Sequence, residues 1–160
     1  MDDKKKSILQ QFLDSIAELY SQIDNWLGST SLRAARQKVE IVEEACGAYK
    51  VQKLTISDPG GTTIADIVPI GAWIIGAKGR VDLIGRRDKV ILVNLEKGGP
   101  AMTTTINCGA YEETSATKFY TGVEEAGWYW IEDRRLGKAR KIDKELFYGL
   151  LAEVSDYESK

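Results

Sequence analysis

The sequence predicts an α+β domain with an N-terminal antiparallel helical hairpin, a mainly antiparallel meander sheet of five to seven strands and a C-terminal helix. Three observations carry that prediction. Apolar residues recur with a helical period over residues 7–49. Turn signals then recur about every 8–12 residues as far as residue 142, which marks hairpins. A capped amphipathic stretch follows from residue 143. Helical and extended segments are segregated and do not alternate, so βαβ units are not expected.

Leu9, Phe12, Ile16, Leu19, Ile23 and Trp26 are spaced 3, 4, 3, 4, 3, an a/d repeat that Ile8, Leu13, Tyr20 and Leu27 widen. Ser7 suits a helix cap and Gly28 a left-handed stop, which gives a first helix over residues 7–27. Leu32, Ala35, Val39, Val42, Cys46 and Tyr49 repeat the same spacing and predict a second helix over residues 31–49, with Glu40, Glu43 and Glu44 on a solvated face. The connector between them is short enough to turn the chain back antiparallel. Residues 1–50 are thus read as a helical hairpin within a single domain of 160 residues.

Residues 51–142 read as a β-rich body. Val51 to Ser57 alternates in part, Asp58-Pro59-Gly60-Gly61 turns, and Thr62 to Val68 forms the next strand up to Pro69. Strands follow at Arg80 to Ile84 and at Lys89 to Glu96. The second of these is β-branched and apolar on both faces, which places it inside the sheet. Ala101 to Asn107 is a threonine-rich strand, and residues 109–127 fit either a short helix or a strand with a loop. Trp128-Tyr129-Trp130-Ile131 and Ala139 to Ile142 pair across a turn at Leu136-Gly137-Lys138. Asp143 caps the last helix, residues 143–157, whose buried stripe is Leu146, Phe147, Leu150, Leu151 and Val154.

Composition narrows the chemistry. The chain has no histidine, which excludes Ser-His-Asp and Cys-His catalysis and every His-ligated zinc site. Cys46 and Cys108 lie far apart without a CxxC pattern and read as reduced, half-buried thiols of a cytoplasmic protein. The apolar positions near the N-terminus are periodic and not continuous, which predicts no secretory leader, and the apolar run at residues 67–77 is too short for a membrane span. Gly76-Ala77-Lys78-Gly79 and Lys97-Gly98-Gly99-Pro100 lack P-loop spacing and read as hairpin turns. No catalytic set, cofactor site or metal site is read from the residues, and no membrane partner is expected.

Two surfaces are candidates for binding. The stripe Leu9, Phe12, Ile16, Leu19, Ile23 and Trp26 is broader than one partner helix covers, which predicts a protein partner or a second copy of the chain. The second candidate is Trp128, Trp130, Arg134, Arg135, Lys138, Arg140 and Lys141. Cations beside aromatics suit the phosphates and bases of a single-stranded nucleic acid, although Glu132, Asp133, Asp143 and Glu145 dilute the charge. Asp82 followed by Asn94-Leu95-Glu96-Lys97 also resembles the core of the PD-(D/E)xK nucleases. That resemblance covers residues 80–97 and implies a carboxylate-held divalent ion, with Lys97 assisting water. The pattern departs from the family's: with Lys97 as the lysine the acid position falls on Leu95, and Glu96 points to the opposite strand face. The leading expectation is a non-enzymatic interaction or assembly module using helix 1. A nucleic-acid accessory domain using residues 128–144 and a degenerate or active PD-(D/E)xK-like metal-dependent nuclease are the alternatives.

Overall fold

The structure is a computed structural model that describes residues 2–109, 111–118, 120–133 and 135–158, with the backbone alone for 102–108, 111–118 and 133. Helix α1 spans Asp3–Leu27. It begins earlier than Ser7 because the Asp2 carboxylate accepts the Lys5 amide at 2.8 Å, a cap one turn upstream. Gly28 ends it in a right-handed conformation (φ −59°), not a left-handed one.

The predicted second helix is not formed. Residues 31–49 instead supply strand β1, Arg33–Glu43, and the start of β2, Gly47–Ser57. The two pair in an unbroken antiparallel register from Arg33↔Ser57 to Glu43↔Gly47. Val39, Ile41 and Val42 lie within four residues and favour extended backbone, and Gly47 supplies the positive φ of 82° at the turn. Two positions of the supposed heptad face water: Ala35 is exposed and Val42 is 72% exposed.

Strands β3 (Thr63–Gly71), β4 (Gly79–Gly85) and β5 (Lys89–Leu95) continue the meander. Strand β8 (Gly127–Asp133) returns beside β5, and β9 (Lys138–Lys141) forms the far edge. All seven strands of this sheet are antiparallel, in the order β1-β2-β3-β4-β5-β8-β9. Between β5 and β8 the chain inserts β6 (Ala101–Cys108) and β7 (Tyr111–Lys118), which pair as a separate two-stranded sheet. Residues 109–127 therefore contain a strand and a loop. Helix α2, Lys144–Val154, ends the fold, its first turn capped by the Asp143 carboxylate on the Leu146 amide at 2.8 Å.

One sheet face carries the main core. Leu54, Ile67, Leu83 and Val90 form one cross-strand row, and Val81, Leu92 and Trp130 a second; α1 and α2 cover them. Glycines admit the helices. A Cβ at Gly79 would overlap the Phe12 ring of α1, and one at Gly85 would overlap the Val154 carbonyl at the end of α2. That carbonyl also accepts the Arg87 and Asp88 amides. The other face has a smaller cluster of Val93, Leu95, Tyr129 and Ala139 under Val123.

The β1–β2 ribbon turns over along its length. Leu54 and Ile56 are buried in one half, and Tyr49 and Val51, of opposite parity, in the other. Pairing with β3 stops after Leu54↔Ile67, close to where Pro69 withholds a donor, so the rest of the ribbon is free to twist.

Candidate functional site

The apolar stripe of α1 lies inside the protomer. Phe12, Ile16, Leu19 and Ile23 are at most 3% exposed, and Leu9 and Trp26 are partly buried against the same core. The β1–β2 ribbon, the sheet and α2 together cover what one partner helix would have left open. Those atoms serve folding and do not form the broad external face expected of them.

The basic and aromatic cluster is also dispersed. Trp128 is 5% exposed and its indole N–H donates to the Ser15 carbonyl at 3.0 Å, so its ring is not open for stacking. Trp130 is half-buried against the main core. Lys138 pairs with Glu132 at 3.1 Å and Lys141 with Glu125 at 2.5 Å, which neutralises two of the cations. Arg140 is exposed on the edge strand, Arg135 is also exposed, and Arg134 lies outside the described residues.

Asp82 and Glu96 do not meet. Asp82 is 2% exposed and opposes Ile91 across the β4–β5 ladder, five residues short of Glu96, or about 16 Å along a strand. The Arg80 guanidinium takes both Asp82 oxygens, at 2.8 and 3.0 Å, and this bond raises the pKa of Arg80. Glu96 pairs with Lys78 at 2.9 Å. β5 leads into β6 and not into a helix, and among the described residues no three His, Cys, Asp or Glu side chains gather where they could hold a metal ion. Cys46 is a half-buried free thiol, and the Cys108 side chain lies outside the described residues. Among the described residues no helix is long and apolar enough to cross a membrane.

The structure does form an open groove on the solvent side of α1. Ile8, Gln11, Ser15, Glu18 and Gln22 recur at helical spacing along one wall, a run of about 21 Å, with Asp14 beside them. The opposite side is made by Trp73, Ile74, Ala77 and Lys78 after β3, by Asn94 and Leu95, and by the start of β8. Its volume, about 710 Å³, falls in the range of sites that hold ligands. Charge is unevenly balanced. Lys78 and Lys141 reach the groove with Glu96 and Glu125 as counter-ions, whereas Asp14 is met by the neutral Gln10 amide at 2.8 Å.

The loop of residues 72–78 is braced. The Glu43 carboxylate, which belongs to the strand that replaces the expected solvated helix face, accepts the Ala72 and Trp73 amides at 3.0 and 3.1 Å. It also accepts the Tyr49 hydroxyl at 2.5 Å; burial and that carboxylate together push the Tyr49 phenol well above its ordinary range. Ala77 N–H donates to Ile74 O at 3.2 Å around Gly76 (φ 78°), and Lys78 N–H donates to Asn94 O at 2.8 Å. This frame holds Ile75 at 97% exposure. Ile74 and Ala77 line the groove on one side and a second hollow of about 490 Å³ on the other.

Sequence reasoning missed Trp73, Ile75, Asp14 and Glu18 as site residues. The available signal was the pair Ile74-Ile75 directly before a turn glycine, where a polar residue is usual. Comparison with protein-family models, curated proteins and solved structures finds nothing that matches the chain.

Proposed function

We propose that the chain is a non-enzymatic protein-binding module whose working surface is the groove along the solvent side of α1. The residues 74–77 turn forms its rim. The observation that carries this reading is Ile75, an apolar side chain 97% exposed on a turn braced at three points. It adds nothing to the core and lines the second hollow, while its neighbours Ile74 and Ala77 line both that hollow and the groove. A rigid apolar side chain at the rim of a groove favours docking, because little ordering entropy is lost on binding.

The groove chemistry favours a short apolar peptide segment bearing one basic side chain. Asp14 and Glu18 attract the cation, while the facing lysines already have counter-ions. Gln11, Gln22 and Asn94 offer amide groups for peptide bonds. Selection of phage-displayed hexapeptides on the immobilised chain tests this. Enriched peptides should combine aliphatic or aromatic residues with Lys or Arg and should lose binding on the Glu18→Arg/Ile75→Asp double variant. Both positions are exposed, so the variant should fold normally. No enrichment, or equal enrichment on the variant, would reject the reading.

A further inference from the structure

We infer that the outer edge of β1 pairs antiparallel with β1 of a second copy of this chain, so that two sheets join across a two-fold axis at Val39. This surface is separate from the groove along α1. The strand has 11 residues, Arg33–Glu43, without a proline, and holds one unbroken register with β2. Among the described residues, the only backbone hydrogen bonds that reach it are those with β2 and the turn bond from the Cys46 amide to the Glu43 carbonyl. The outward half of its N–H and C=O groups is therefore open to another strand. The far edge of the same sheet is closed. β9 has four residues, and Thr121 lies along it: the Ala139 amide donates to the Thr121 carbonyl at 3.0 Å, and the Thr121 amide to the Gly137 carbonyl at 2.8 Å.

The charge pattern of β1 identifies the occupant. Arg33, Arg36 and Lys38 precede Val39, and Glu40 and Glu43 follow it. An in-register parallel copy sets like charge on like, whereas an antiparallel copy sets each half against its opposite. Two of these groups are already engaged and contribute nothing. Arg36 is held by Asp24 at 2.8 Å, and Glu43 by the Tyr49 hydroxyl and the Ala72 and Trp73 amides. Lys38 and Glu40 are different, because among the described residues nothing pairs with either, although Lys50 lies across the ladder from Glu40. With the axis at Val39, Lys38 of each copy lies directly opposite Glu40 of the other. The interface is isologous and carries two opposite-charge cross-strand pairs.

Sedimentation of the full chain at low salt, alone and as variants, tests the inference. The unmodified chain should dimerise in a concentration-dependent way. Lys38→Glu sets two carboxylates against two others across the axis, and Glu40→Lys does the same with cations; each should weaken dimerisation by about tenfold or more. An equimolar mixture of the two variants sets opposite charges across the axis again and should form a heterodimer more tightly than either variant self-associates. The double variant Lys38→Glu/Glu40→Lys exchanges the charges within one chain and should recover the homodimer. A chain that stays monomeric up to about 1 mM, a single variant that dimerises as well as the parent, or a mixture and double variant that both stay monomeric would overturn the inference. The groove is tested apart from this edge, since the Glu18→Arg/Ile75→Asp variant should dimerise like the parent; loss of its dimer would also overturn the placement at β1.

Discussion

Residues 9–26 and 32–49 carry the same apolar spacing, yet the first segment is a helix and the second a strand, a turn and the start of another strand. Spacing alone therefore does not decide. In α1 every position of the repeat is buried or packed on the core, and the intervening residues are good helix formers such as Gln, Glu, Ala and Leu. In the second segment Val42 and Ala35 of the repeat face water, and the half-buried alternation Val39 and Ile41, opposite the buried Val51 and Tyr49, follows the strand period. β-Branched residues and Gly47 tip the balance, and the long pairing with residues 47–57 completes it. The same comparison assigns roles. The stripe of α1 is structural, and its solvent side lines the groove.

Substitution within the two repeats is the sharpest contrast. Phe12→Ala should lower unfolding free energy by about 3–5 kcal/mol, since the ring fills the space over Gly79. Val42→Ala, at the matching phase of the second repeat, should change it by less than about 0.5 kcal/mol. Chemical denaturation measures both, and equal losses would restore the helical reading of residues 32–49.

Glu43→Ala should cost about 2–3 kcal/mol, because it strands two loop amides and the Tyr49 hydroxyl. The same variant should raise amide exchange at residues 72–78. A solvated glutamate on a helix face would show neither effect.

The pH dependence follows from two phenols. Burial raises the pKa of Tyr20, opposed in part by Arg36, and burial with Glu43 raises that of Tyr49. Above pH about 10 the unfolded phenols release protons that the folded ones retain, so stability falls as pH rises through that range. Tyr49→Phe should flatten the decline in an alkaline denaturation series; an unchanged slope would remove Tyr49 as a contributor.

The smallest effect separates strand from helix most cleanly. Ala35 is exposed and pairs with Thr55. Ala35→Thr should stabilise the ribbon by a few tenths to about 1 kcal/mol through the cross-strand threonine pair. In a helix the same change would destabilise.

Much of the fold was legible where local signals agree with the tertiary result. Asp143 caps α2 as expected, and β3, β4, β5, β8 and β9 lie close to the positions their turns indicate. Seven strands in one antiparallel sheet match the expected range, while the separate β6–β7 hairpin was not foreseen as a second sheet. The ribbon was misread because its repeat satisfies two periods and only its pairing chooses between them. The groove was legible only in fragments: its helix wall, loop and strand ends come from residues more than a hundred positions apart, and the Glu43 brace joins residues about thirty apart. No local pattern encodes those contacts.

In the proposed function α1 folds with one side and would bind with the other. Nuclear magnetic resonance titration of the labelled chain with its best selected hexapeptide tests it directly. Shift changes should concentrate at residues 8–22, 72–78 and 126–128. Changes confined to the β8–β9 edge, or none on α1, would contradict it.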